Sequence, residues 1–387
     1  MDLKIDNNQD CCGCKVCADI CPKDAISFKN DKEGFWYPKI DMGKCVDCRK
    51  CELICPQLKN IVCRKPLEVY AARIEDKKVL RQSSSGGLFT ALATEVIEKE
   101  KGHVYCVQYD QNMIARFKKV EKVIDLEAGR GSKYVQADPD GVYNEILSDL
   151  KNGIFVMFIG TPCQASAVRS ITRHFKNKIL IVDFICHGVP SPMLFADFIR
   201  YVEKKNKSKV IRYNNRSKVE GWKHLEEITF QNGKSDYKSS LSQAWRNIFY
   251  THNCLRPSCY ECRFNHFSNR ESDITIADFW GIDNYHPDFA SDDGNSVLVE
   301  YTETGKRWFD RISNDISYIQ STIENCLDRQ PHFRGESAVA LNREEFWKDY
   351  FNYGIAFLTR KYGKCSFKLR IKKYIKHFIC KVNKRAK

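Results

Sequence analysis

Cys11-x2-Cys14-x2-Cys17-x3-Cys21-Pro22 and Cys45-x2-Cys48-x2-Cys51-x3-Cys55-Pro56 write one cysteine pattern twice between residues 11 and 56. This is the ligand spacing of a bacterial ferredoxin with two four-iron clusters. Three thiolates on a tight loop grip one face of an iron–sulfur cube, and the fourth cysteine of each run, past the turn, reaches the other cube. On that reading Cys11, Cys14, Cys17 and Cys55 hold one cluster, and Cys45, Cys48, Cys51 and Cys21 the other. Each proline ends its local turn and withholds a backbone donor. Zinc also takes four cysteines, but through paired C-x2-C hooks separated by a longer spacer. Cys12 and Cys63 fall outside the pattern and are expected to be bystanders.

At 387 residues the chain is far longer than a ferredoxin, and its length predicts two or three domains. The 19 cysteines would suit a secreted disulfide scaffold, but Met1 to Asp10 is polar and lacks an apolar signal region. Free thiols and clusters in a reducing cytoplasm fit better. No apolar run approaches the roughly 18 residues needed to span a bilayer. The net charge of +14 is concentrated: residues 360–387 hold 12 Lys or Arg and no Asp or Glu, leaving 51 basic against 49 acidic groups elsewhere. Within that tail Phe367, Ile371, Tyr374, Ile375, Phe378, Ile379 and Val382 trace one helical stripe among lysines. Such a helix suits an anionic membrane surface at the inner face of the plasma membrane; a docking helix for a partner protein and a solvated tail are the alternatives. No nucleic-acid recognition module accompanies the charge.

Between the cysteine runs, Ala25 to Phe28 and Phe35 to Ile40 read as short strands around Asn30 to Gly34. They would shield the clusters from water, which tunes their potential. After Pro66 strands and helices alternate. Val69 to Ile74 is a strand, and the loop Ser83 to Gly87 feeds a helix from Leu88 to Lys99. Such a loop offers free N–H groups and a positive dipole end to an anion, although Ser and Gly also simply cap helices. Val104 to Tyr109 is a strand, Gly129 to Tyr134 a basic glycine-bearing loop, and Val142 to Leu150 a helix. Ile154 to Ile159 is apolar throughout, as expected of a buried parallel strand, and Gly160-Thr161-Pro162-Cys163-Gln164 turns it into a helix. The unit repeats with Lys178 to Phe184, the turn Cys186-His187-Gly188, and a helix from Met193 to Lys205. Ligands in open α/β sheets sit beyond the carboxyl ends of the strands, which places Cys163 and Cys186 at a candidate active site or, on the bland reading, in the core as small hydrophobes.

Farther along come Val210 to Tyr213, Arg216, and a hairpin at Asn232-Gly233. Arg212 and Arg216 are candidate phosphate holders. Cys254-x4-Cys259-x2-Cys262 has the spacing of a two-iron motif whose fourth ligand lies elsewhere, with Cys326, Cys163 and Cys186 as candidates. Asp273 to Gly281 reads as a strand with an aromatic turn, where Trp280 either stacks on a flat cofactor or belongs to the core. Val297 to Tyr301 is another strand, and amphipathic helices are expected from there to about Phe357.

Taken together, the ferredoxin runs, Ser83 to Gly87, Arg130 to Tyr134, Gly160 to Gln164, Cys186 to Gly188, Gly221-Trp222, the Cys254 to Cys262 set and Asp273 to Gly281 resemble, in order, the beta subunits of coenzyme F(420) hydrogenases and dehydrogenases. The likeness covers roughly residues 5–320. It implies an α+β and α/β protein: a ferredoxin-type domain (residues 1–64), the two parts of a mixed α/β flavin-binding domain (65–150 and 151–325), and a helical extension with the basic tail (326–387). It also implies FAD, with Ser84, Ser85, Gly86, Gly87, Thr161, Gln164, Arg212 and Arg216 as candidate contacts to cofactor or substrate. A third four-iron cluster would take Cys254, Cys259, Cys262 and Cys163, with Cys186 the alternative to Cys163. Bacterial members with a fused ferredoxin accompany cell-surface polysaccharide synthesis. The expected activity is therefore oxidoreductive: ferredoxin or another redox partner loads the N-terminal clusters, and flavin exchanges hydride with an organic acceptor or donor. No Gly-x-Gly-x-x-Gly fingerprint follows a strand, which argues against a nicotinamide cofactor bound in the usual way. An electron-transfer subunit serving a partner enzyme, and a structural zinc protein, are the competing expectations.

Overall fold

The structure is a computed structural model that describes residues 9–364. Its cysteines among those residues are free thiols. The amphipathic part of the basic tail, from residue 365 onward, lies outside the described residues.

The strands are β1 (Ile26–Asn30), β2 (Trp36–Ile40), β3 (Glu68–Ile74), β4 (His103–Tyr109), β5 (Ala115–Val120), β6 (Val156–Gly160), β7 (Ile179–Phe184), β8 (Val210–Ser217), β9 (Leu225–Phe230), β10 (Ser235–Asp236), β11 (Ile274–Asp278), β12 (Ser296–Glu300) and β13 (Ile316–Gln320). Eight of them form one mixed sheet in the order β13-β3-β12-β11-β7-β6-β4-β5. Its centre is parallel, through β4/β6, β6/β7 and β7/β11, while antiparallel pairs close both sides.

The continuous apolar run in β6 and β7 follows from burial on both faces. Val156, Phe158, Ile179 and Ile181 pack on one side with the helices Val142–Lys151, Pro162–Ile171 and Pro192–Asn206. Met157, Leu180 and Val182 pack on the other with the helices Leu88–Lys99 and Glu303–Ile312. Alternate residues of one strand thus feed two separate cores.

Two features depart from the sequence reading. Where only helices were expected after Tyr301, Ile316–Gln320 forms a strand that pairs with β3 at the sheet's edge. β5, unforeseen, closes the other edge against β4. Both segments are short and mixed in polarity, and their strand state comes from a neighbour's unpaired backbone rather than from their own pattern.

The cysteine-rich segment is a β1–β2 hairpin with one short helix in each cysteine run, Val16–Asp19 and Lys50–Leu53. Cys14, Val16 and Phe35 are buried within the same core as the large sheet. Polar contacts fix the seating. Arg256 Nε donates to the Cys11 carbonyl at 2.6 Å and Nη2 to the Trp36 carbonyl at 2.9 Å, and the Lys59 ammonium meets Glu271 Oε2 at 2.6 Å.

Candidate redox centre

The thiols of Cys11, Cys14, Cys17 and Cys55 lie close to one another. Cys14 lies within electrostatic reach of Cys11, Cys17 and Cys55, and Cys17 of Cys11 and Cys55 as well as Cys51. Burial, then the neighbouring thiols, push the Cys17 thiol well above its ordinary value. Crowded buried thiols resist ionisation until a cationic core compensates them, which suits ligands of an iron–sulfur cube. Cys21, Cys45, Cys48 and Cys51 surround one small cavity walled by Ala25, Ile26, Ile40 and Val46. Cys48 is exposed. Among the described residues no group of three or more His, Cys, Asp or Glu side chains is disposed to hold a single metal ion.

A third group of thiols forms at the carboxyl ends of β6 and β7. The thiol of Cys186 is within reach of those of Cys163 and Cys262, and Cys259 within reach of Cys163, Cys186 and Cys262. Cys254 stands apart: it is fully buried in the main hydrophobic core, and the charge that acts on it is that of Arg343. The structure therefore gathers Cys163, Cys186, Cys259 and Cys262, where the spacing suggests Cys254 as the companion of Cys259 and Cys262. Cys254 parts from its sequence neighbours because it is drawn inward with Leu255 before the chain turns at Pro257–Cys259. Cys12, expected to be a bystander, has its thiol within hydrogen-bonding reach of both Cys14 and Cys163. It lies between the first group and the third. Cys63 is exposed.

Beside the third group a cleft opens at the ends of β4, β6, β7 and β11, lined there by Val107, Gly160, Phe184 and Asp278. This is the position an open α/β sheet offers a ligand. Ser84, Ser85, Gly87, Thr161, Gln164 and Arg216 line it, as does Cys186. Gly86 does not line it but makes room behind it: a Cβ there would stand 2.4 Å from the Ala72 carbonyl oxygen. Gly87 sits at φ +83° and leaves the first turn of the helix Leu88–Lys99 without a side-chain cap. The first N–H groups of that helix, at Leu88 and Phe89, belong to cleft-lining residues, so its positive end is presented to the cavity. Thr161 and Gln164 are occupied with each other in a capping box, while Thr161 Oγ1 lies 3.1 Å from Cys163 Sγ.

Arg212 is exposed on β8 and does not line the cleft. Four residues from Arg216, it would share a face in a regular strand, but bulges at Val210/Arg212 and Asn214/Ser217 break the alternation. Arg216 is buried, pairs with Asp278 at 2.7 Å, and stands over the Trp280 ring at 4.9 Å. Trp280 in turn stacks on Trp222 at 4.7 Å and on His224 at 4.8 Å.

Sequence reasoning singles out the Gly129 to Tyr134 loop without assigning its residues. Ser132 N donates to Ser84 Oγ at 2.8 Å. Lys133 threads back so that its ammonium meets the carbonyls of Gly129 and Arg130 at 2.9 Å each. Burial pulls the Lys133 ammonium down to about 8. His187, next to Cys186, also lines the cleft; burial, then the neighbouring His332 ring 4.3 Å away, hold it down to about 3, uncharged at neutral pH.

Three segments of the chain match models of known families. Residues 10–58 match a model described as a 4Fe-4S dicluster domain. Residues 69–139 and 155–325 match the models of the coenzyme F(420) hydrogenase/dehydrogenase beta subunit, N-terminal and C-terminal parts respectively. The chain is 24% identical over 190 residues to the F subunit of the F(420)H(2) dehydrogenase from Methanosarcina mazei, a match covering 46% of this chain and 53% of that protein. The chain thus spans about half the length of that relative. A chain of the F(420)-reducing [NiFe] hydrogenase complex from Methanosarcina barkeri superposes with a TM-score of 0.48 at 17% identity, over 78% of this chain and 93% of that one.

Proposed function

This chain belongs to the family of coenzyme F(420) hydrogenase/dehydrogenase beta subunits, which are components of oxidoreductases, and from that premise we propose that it carries electrons between a redox partner and FAD held in the cleft. The convergence of Cys163, Cys186, Cys259 and Cys262 at the cleft's edge is the observation that carries this reading. Eight thiols of residues 11–55 hold two four-iron clusters, and these four hold a third. The sulfur groups succeed one another from exposed Cys48, through the Cys11 set, past Cys12 to Cys163, and end at Cys186 on the cleft.

A bound flavin supplies the interconversion of single electrons with hydride that clusters cannot perform. The chain's own residues bind and orient it. The uncapped start of the helix Leu88–Lys99 and the Ser84–Ser132 clamp receive the anionic part of the cofactor. Arg216, neutralised by Asp278, braces the Trp280–Trp222–His224 stack as a flat wall for an aromatic ring. Phe184, Ile185 and Val189 keep water from the side nearest the thiols. The organic partner is a hydride acceptor or donor, the deazaflavin of the family name or a polysaccharide-pathway intermediate.

Anaerobic purification with iron, sulfide and flavin analysis tests the proposal. About twelve irons and one FAD per chain are expected, the count for three four-iron clusters. Eight irons without flavin would reject it in favour of an electron-transfer subunit whose chemistry belongs to a partner.

A further inference from the structure

Arg270 and Asp183 form an ion pair in which neither side chain has any solvent exposure, with Nη1 3.3 Å from Oδ2. Removing two charges from water costs several kcal/mol per ion, and one contact of that length repays it poorly. The pair therefore calls for a further role.

Its location supplies one. Asp183 lies three residues before Cys186. Arg270 Nη1 also donates to the Phe184 carbonyl at 3.4 Å, and Nη2 to the Asn265 carbonyl at 3.3 Å, three residues beyond Cys262. The guanidinium thus ties together the two loops that carry Cys186 and the Cys259–Cys262 pair, and its positive charge acts on the thiols of both Cys186 and Cys262. Phe333 covers it, its ring 5.0 Å from the guanidinium carbon. Nε has no acceptor among the described residues, although an orphaned buried donor is costly. The Asp183 carboxylate, by contrast, also accepts from Thr275 Oγ1.

We propose that Arg270 is a charge-compensating and positioning residue for the third cluster, and that its buried guanidinium raises that cluster's reduction potential. The proposal rests on the reading of Cys163, Cys186, Cys259 and Cys262 as a ligand set. Four thiolates give the centre a negative charge that grows by one on reduction. A fixed cation in the same low-dielectric pocket stabilises the reduced state more than the oxidised one. Arg270 thereby favours electron arrival at the cleft.

The test is a redox titration of the anaerobically purified full chain, followed by electron paramagnetic resonance, with iron and sulfide counted in every sample. Arg270→Gln is expected to move the midpoint of one four-iron signal to lower potential, leaving the other two signals and the iron content unchanged. Arg270→Lys keeps the charge and should restore most of the shift. The double variant Arg270→Gln/Asp183→Asn strands no buried carboxylate, covers the case in which the single variant fails to fold, and should show a smaller downward shift. Full iron with an unmoved midpoint in the folded variants would overturn the proposal, as would loss of the third cluster from the double variant, which marks a purely structural role. Eight irons in the unaltered chain would instead remove the third cluster itself, so the two failures are distinguishable.

Discussion

At Gly13 the backbone holds φ +69°, and a Cβ there would stand 2.6 Å from Gln136 Nε2, 2.7 Å from Arg256 Nη1 and 2.8 Å from Trp36 Nε1. These are the groups that hold the Cys11–Gly13 carbonyls: Gln136 donates to Cys12 O at 3.2 Å and Trp36 to Gly13 O at 2.7 Å. Gly13→Ala is therefore expected to cost the cluster of the Cys11 set specifically, read as a drop of about four irons per chain with the signals of the other clusters retained. The two cysteines that spacing and tertiary structure place differently give a sharper contrast. Cys186→Ser should lose the third cluster, whereas Cys254→Ser should keep all the iron and lose about 1–3 kcal/mol of stability from a hydroxyl buried among apolar groups. Iron analysis together with a thermal melt separates the two outcomes. Neither distinction was legible in C-x4-C-x2-C, because spacing reports what a loop can reach and not which thiol the core claims.

Among the elements, β12 carries an unusual burden. Glu300 is fully buried there and both its carboxylate oxygens lack partners. Burial, then the nearby Asp310 and Glu68, push its carboxyl up to about 7 from an ordinary 4.5. Between those values the folded state binds a proton that the unfolded state has released, so stability falls as pH rises from about 4.5 to about 7. Glu300→Gln is expected to raise the unfolding midpoint at pH 8, by an amount corresponding to about 2 kcal/mol, and to change little at pH 4.5. Anaerobic melts at the two pH values check it, and a gain of equal size at both would contradict the assignment. Glu226, on β9, is also held at about 7 by burial. It accepts from Asn215 Nδ2 at 2.9 Å and the Arg246 amide at 2.7 Å, so Glu226→Gln should destabilise instead. Most elements around these positions were legible from pattern alone: the helix Leu88–Lys99 was bounded as it stands, and β6 and β7 follow their apolar runs closely. β5 and β13 were not, since edge strands acquire their state from the strand they pair with.

For the whole molecule the decisive contact is the seating of the cysteine-rich segment on the sheet. Arg256 has no solvent exposure, donates to the carbonyls of Cys11 and Trp36, and stands over the Tyr37 ring at 4.5 Å. Arg256→Ala strands two buried carbonyls, each worth about 1–3 kcal/mol. It should also loosen the path from the Cys11 set to Cys163. The expected signs are faster limited proteolysis within residues 59–66 and slower reduction of the third cluster by an external donor, with the iron of the cluster held by Cys21 and Cys45–Cys51 retained. Wild-type proteolysis and reduction rates in that variant would show that the segment is held by its apolar contacts alone. Among the described residues no helix is long and apolar enough to cross a membrane.

The sequence alone determined the twice-written cysteine spacing of residues 11–55, the alternation that builds the central sheet, and the cleft's position beyond β6 and β7. These are local properties: a ligand spacing within one loop, or an apolar period within one strand. Tertiary structure decided that Cys186 joins Cys163, Cys259 and Cys262 while Cys254 serves the core, that Arg212 stands exposed outside the cleft lining, that Cys12 stands between two thiol groups, and that Arg270 is buried beside the third. Each of these depends on which segments, tens to hundreds of residues apart, are brought against one another, and no spacing within a single segment encodes that.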